Sequence, residues 1–146
     1  MSAFADTSAL LKLYLSEANS PQVAAWAHTL TQPLPLTPLL ELELVNAVEL
    51  RRHRREITAA TAQHVLALVE ADIATGILQR TPLDLATWRK AVDLAREHTA
   101  VAGCRSLDIL HVAAALALEA DPFYTFDQRQ RDLARRTGLH VQPALE

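Results

Sequence analysis

Four acidic side chains stand where this chain gives a carboxylate a chemical use: Asp6, Glu43, Asp108 and Asp127. Asp6 and Asp127 each follow a short apolar run and precede a helical pattern. Asp108 falls in the first turn of the most apolar helix, two residues after Ser106, and Glu43 falls in the first half of a helix that also follows a short strand. If the strands are parallel, their junctions with the helices face one edge of the sheet, the edge where open α/β sheets bind ligands. The four carboxylates then converge from distant chain positions. They cannot all stay ionised in a small volume without a cation, because like charges raise one another's pKa. Clustered oxygen ligands select Mg²⁺ or Mn²⁺. One or two such ions activate water and stabilise the oxygens of an in-line phosphoryl displacement.

A plainer use competes with this one. Asp at a helix N-terminus caps it and complements the helix dipole, contributing roughly 1 kcal/mol. Taken singly, Asp6, Asp108 and Asp127 read as caps and Glu43 as a solvated helix position; the conjunction is what favours a site. Asp108 weighs most, because Ile109, Leu110, Val112 and a run of Ala and Leu follow it, and a carboxylate on so apolar a helix calls for a partner. Asn46, three residues after Glu43, shares its helix face and is placed to orient it or to bind a ligand. Glu41 projects about 160° away from Glu43, so only one of the two faces the site. His111 lies three residues after Asp108; with no second copy of this spacing, a structural hydrogen bond is favoured over a metal ligand. Two basic groups, Arg51–Arg55 and Arg129, Arg131, Arg135 and Arg136, read either as solvated helix ends or as contacts to phosphates. Arg129 and Arg131 are favoured for phosphate contact because Asp127 is near, with Arg51 and Arg54 behind them.

Other chemistries lack their residues. With three Gly in the chain, there is no GxGxxG and no GxxxxGK[ST] phosphate loop. No GxSxG elbow is present, and six His and one Cys are scattered without zinc-ligand spacing. A phosphatase with an aspartyl nucleophile would carry a second Asp where Ser8 stands, and a receiver domain would carry a late strand-end lysine, whereas the only lysines are Lys12 and Lys90. Aromatic residues are 5% of the chain, too few for base stacking as the main binding mode. The net charge of -3 gives no general pull toward nucleic acid and does not exclude it, since local patches decide. The lone Cys104 excludes an internal disulfide and fits a reducing compartment. No signal peptide is evident, and Ile109–Leu118, interrupted by His111, is too short to span a bilayer. A cytoplasmic protein without a membrane segment is expected.

The elements that must position the acids follow from hydrophobic period and caps. Ala3–Ala5 reads as a buried strand followed by a helix to Leu15. Ser20–Pro21 opens a helix to Leu30, Leu34–Leu36 is a strand, and Thr37–Pro38 starts a helix to about Arg54. Thr58 caps a helix to about Asp72, and Ile77–Thr81 is a strand. Asp84 begins a helix to His98, Ser106 caps Leu107–Leu118, Phe123–Phe126 is a strand, a helix runs to Thr137, and His140–Val141 is a last strand. The order β-α-α-β-α-α-β-α-α-β-α-β predicts a helix-rich single domain over 1–146, with helices on both faces of a short-stranded parallel sheet.

The segments FADTSALLKLYL, TPLLELELVNAVELR, RSLDILHVAAALAL and FYTFDQRQRDLARRTGLHVQP together resemble the PIN-domain ribonucleases, and within them the VapC-type toxins of toxin–antitoxin pairs. The likeness runs over nearly the whole chain. It implies a PIN-like three-layer α/β/α sandwich. It matches the family's acids to Asp6, to Glu43 rather than Glu41, to Asp108 and to Asp127, and the small hydroxyl beside the first acid to Thr7 or Ser8. Asn46 and Ser106 would support the site. The implied activity is cleavage of RNA with Mg²⁺ or Mn²⁺, in a homodimer whose site a cognate antitoxin blocks. Asp6, Glu43 and Asp108 would hold the first ion, with Asp127 completing or water-linking it. The alternative is a non-catalytic RNA- or protein-binding module on the same fold.

Overall fold

The computed structural model describes residues 2–144. In chain order the elements are β1 (Phe4–Ala5), α1 (Thr7–Tyr14), α2 (Ser20–Ala27), β2 (Leu34–Leu36), α3 (Pro38–His53), α4 (Ala59–Ala74), β3 (Leu78–Arg80), α5 (Leu85–Ala102), α6 (Ser106–Ala117), β4 (Phe123–Tyr124), α7 (Gln128–Arg136) and β5 (Val141–Gln142). The predicted order holds element by element.

All strand pairing is parallel. Phe4 and Ala5 of β1 pair with Phe123 and Tyr124 of β4, which pair in turn with Val141 and Gln142 of β5. Leu34–Leu36 pairs with Leu78–Arg80. The hydrogen bonding therefore comes in two pieces, a trio β1–β4–β5 and a pair β2–β3, which meet where β2 lies alongside β1. Pro35 at the centre of β2 has no N–H to offer a second neighbour, and β1 is only two residues long.

The helices form two groups. α1, α2, α3 and α4 pack on one another, and so do α5, α6 and α7; together with the sheet they make the three-layer α/β/α arrangement. The core follows from strand composition. Phe4 and Phe123 stack with centroids 5.4 Å apart across the β1–β4 pair, and both are fully buried. α6 is buried continuously from Asp108 to Ala115, as its lack of a polar face predicts, and it packs against α5.

Caps account for most helix starts. Asp6, Thr37, Thr58, Asp84 and Asp127 each accept a hydrogen bond from a backbone N–H in the first turn of the following helix. Two caps differ from the sequence reading. Asn19, in the left-handed region at φ 70°, precedes α2, while Ser20 Oγ donates to the Leu15 carbonyl and accepts from Glu17 N–H. Arg105, not Ser106, is the N-cap of α6. Asp108 reaches back to the Arg105 N–H at 3.4 Å, so the acid in the first turn takes the capping work from the serine.

Candidate active site

Asp6 ends β1 and begins α1, and no part of it is exposed. Its Oδ1 accepts from Ser8 Oγ at 2.6 Å and from Ala9 N–H at 3.1 Å. Its Oδ2 accepts from Thr125 Oγ1, which stands just past β4. Burial pushes the Asp6 carboxyl up from its ordinary range, and the donors from Ser8, Thr125 and Ala9 only partly offset that. A fully buried carboxyl group is thus held by neutral donors at the carboxyl ends of two paired strands.

Asp127 enters through the same residue. Thr125 Oγ1 accepts from Asp127 N–H at 2.9 Å, and Asp127 Oδ1 caps α7 through Gln130 N–H at 3.0 Å. Ser8 Oγ accepts from Phe126 N–H at 2.9 Å, so the turn after β1 and the turn after β4 are tied twice. Asp108 joins from α6: its Oδ1 accepts from the Gln130 side-chain amide at 3.2 Å, and its Oδ2 from Arg105 Nε at 3.3 Å. The Arg105 guanidinium also comes within 3.9 Å of Asp127 Oδ2.

Glu43 projects from α3 and remains partly open to solvent. Its Oε1 accepts from Thr7 Oγ1 at 2.7 Å and from His111 Nε2 at 2.5 Å. Burial raises the Glu43 pKa, but the hydrogen bond and charge of His111 and the Thr7 hydroxyl outweigh it, and the net shift is downward. Glu41, as its helical angle predicts, points elsewhere and binds Arg80 Nε through both oxygens, at 3.0 and 3.1 Å.

The predicted residues separate into those the fold links and those it does not. Asp6, Ser8, Asp108 and Asp127 are joined by short hydrogen-bond paths through Thr125 and Gln130, while Thr7 and His111 form a second group on Glu43. Both hydroxyls beside the first acid are used, Ser8 on Asp6 and Thr7 on Glu43. Asn46 and Ser106 are exposed and neither bonds to an acid among the described residues. Arg131 needs correction as an RNA contact: it is 2% exposed, and its guanidinium donates to the carbonyls of Thr125 and Pro143, each at 2.8 Å. Its sequence neighbourhood suggested a basic patch, but its helix face turns inward. Arg51 is engaged by Glu17 at 2.6 Å and by Glu56 at 3.2 Å, which lowers its availability to phosphate. Arg54 and Arg129 are exposed.

Sequence reasoning missed Thr125, Gln130 and Arg105. Thr125 carried a signal, since it lies two residues before Asp127 at the end of a strand that a parallel sheet would set beside β1. Gln130 and Arg105 carried none beyond lying within a turn of an acid.

The donor set fits a hard divalent cation. Its ligating atoms are carboxyl oxygens, the chemistry of Mg²⁺ and Mn²⁺, and Asp6 is a buried carboxyl whose direct partners are all neutral. As the side chains stand, no three acidic, histidine or cysteine groups among the described residues lie close enough together to hold one ion. Each acid is instead turned toward a protein donor. Among the described residues no helix is long and apolar enough to cross a membrane.

No curated protein matches the chain by sequence. Among solved structures, the Mycobacterium tuberculosis toxin VapC20, described as cleaving the sarcin–ricin loop, is 16% identical. The match covers 97% of this chain and 100% of that one with a TM-score of 0.69. FitAcB from Neisseria gonorrhoeae is 17% identical over 95% of both chains with a TM-score of 0.66. At these identities the likeness is one of fold. A family model described as the PIN domain matches residues 3–136, which takes in all four acids, and the chain belongs to the PIN-domain family.

Proposed function

We propose that the protein is a metal-dependent endoribonuclease that hydrolyses RNA phosphodiester bonds, and that it is the toxin of a toxin–antitoxin pair. The observation that carries this reading is the linkage of Asp6 to Asp127 through Thr125 at the carboxyl ends of β1 and β4, with Glu43 and Asp108 tied into the same end of the molecule by Thr7 and Gln130. Capping alone does not explain it: Asp6 is a cap, but a cap does not require full burial or a third donor from another strand.

In this reading Asp6, Glu43 and Asp108 would hold Mg²⁺ or Mn²⁺, with Asp127 completing or water-linking the site. The bound cation would supply the positive charge that lets these acids ionise together and would polarise the phosphodiester toward attack by water. The chain's own residues do the rest. Ser8, Thr125 and Ala9 N–H fix both oxygens of Asp6. Gln130 fixes one oxygen of Asp108. Arg129, exposed on α7 two residues after Asp127, is offered to the RNA backbone, with Arg54, exposed just past α3, as a second contact. A homodimer blocked by a cognate antitoxin is carried over from the VapC-type resemblance, and a single domain acting in the cytoplasm from the chain length and the lone cysteine.

Cleavage of a structured RNA pool under Mg²⁺, Mn²⁺ and EDTA, with Asp6→Asn and Asp108→Asn alongside, tests it. Metal-dependent cutting lost in both variants is expected. Equal cutting by wild type and variants would reduce the acids to caps. Binding of RNA or a protein without cutting would favour the non-catalytic module.

A further inference from the structure

His111 is 1% exposed, and its setting does not suit a histidine that only fills space. It lies on α6 among Leu110, Val112 and Ala113, all buried, with the Phe4 ring 6.3 Å away centroid to centroid. Its Nδ1 is buried with no hydrogen-bond partner, which is costly in an apolar interior. A leucine would fill the same volume without that cost. What the imidazole supplies is Nε2, which donates to Glu43 Oε1 from 68 residues away in sequence.

The acceptors differ between Glu43 and the two acids Asp6 and Asp108. Asp6 and Asp108 each have protein donors on both oxygens. Glu43 has both of its donors, Thr7 Oγ1 and His111 Nε2, on Oε1; among the described residues Oε2 has none. The Glu43 side chain is 29% exposed, so this free oxygen belongs to a carboxylate that solvent can reach. Side chains that grip one oxygen of a carboxylate fix the direction of the other, which is how groups behind a ligand orient it.

We propose that His111 is a positioning residue. Together with Thr7 it clamps Glu43 Oε1 so that Oε2 is the oxygen presented to the divalent cation. The inference rests on the metal-dependent reading above and adds a residue to it. α6 then serves the site twice, through Asp108 and, one turn on, through His111 on the same face.

The test is Mn²⁺ affinity of the full chain, by calorimetry or by electron paramagnetic resonance, for wild type, His111→Leu, His111→Gln and His111→Asn, with melting curves to establish folding. His111→Leu is expected to lose about 10- to 100-fold in Mn²⁺ affinity, and RNA cleavage to fall in kcat with KM for RNA unchanged. The Gln variant, whose side-chain amide reaches far enough to donate to Oε1, should return to within a few-fold of wild type. The Asn variant, polar but one methylene shorter, should fail like Leu, and carries the test if the Leu variant does not fold. Wild-type affinity in Leu or Asn, or a folded Gln variant as weak as Asn, overturns the proposal while leaving the nuclease reading intact. A wild type that binds no Mn²⁺ overturns both.

Discussion

Thr125 Oγ1 donates to Asp6 Oδ2 and accepts from Asp127 N–H, so one hydroxyl joins two acids 121 positions apart in the sequence. The contact is made because β1 and β4 pair in parallel with Ala5 opposite Tyr124, which sets the next residue of each strand side by side. Thr125→Val keeps the shape and removes the hydroxyl. The loss leaves an acceptor on Asp6 and a donor on Asp127 unpaired, which costs about 1 to 3 kcal/mol. Urea unfolding should show that loss, and RNA cleavage should fall with it; a variant as stable as wild type would contradict the linkage.

The buried Asp6 carboxyl gives stability a pH dependence of unusual sign. Its folded pKa lies above the unfolded one because burial penalises the charged form. The folded chain therefore binds a proton that the unfolded chain releases, and this contribution to stability is fully present below about pH 4 and is lost as pH rises through the raised value. Glu43 acts oppositely: its pKa is lowered, so its contribution is present above its unfolded value and is lost as pH falls through the folded one. In EDTA, Asp6→Asn should melt higher than wild type at neutral pH, and the difference should vanish below about pH 4. Adding Mn²⁺ should stabilise the wild type and leave the variant unmoved. Melting curves across this range check both.

Arg129 and Arg131 sit two apart on α7 and should separate stability from RNA binding. Arg131→Ala removes two charge-assisted hydrogen bonds, to the carbonyls of Thr125 and Pro143, at a cost of about 3 kcal/mol or more. Arg129→Ala, on the exposed side, should change stability by less than about 0.5 kcal/mol and weaken RNA binding, with a shallower dependence on salt. Denaturation and filter binding at two salt concentrations distinguish the two.

Glu41 and Glu43 give a control within one helix. Glu41 pairs with Arg80 at the surface, an interaction worth at most about 1 kcal/mol, so Glu41→Gln should cut RNA as wild type does. Glu43→Gln should abolish cutting without unfolding the chain, because its amide oxygen can still accept from Thr7. Cleavage assays on the pair decide which face of α3 serves the site.

The sequence was most legible where chemistry is local. Thr37, Thr58, Asp84 and Asp127 were readable as caps because a cap needs only a side-chain oxygen and the next turn of backbone. The opposite directions of Glu41 and Glu43 follow from the pitch of a single helix. Arg131 was misread because two arginines two residues apart on a helix look alike until the packing of α7 against β5 sends one of them inward. Asn46 shares the Glu43 face by angle, yet it lies further along α3 and meets solvent.

Taken alone, then, the sequence determines the order of elements, the parallel character of the sheet, the identity of the acids and the likeness to PIN-domain ribonucleases, since each rests on spacing or residue type along a continuous stretch of chain. The tertiary structure alone decides how those acids are held. It sets Thr125 on Asp6, His111 and Thr7 on one oxygen of Glu43, Gln130 and Arg105 on Asp108, and the break in hydrogen bonding between β1 and β2. Hydrogen bonds are made at about 3 Å, and no pattern within one helix or strand specifies which distant donor the folded core will bring to that distance.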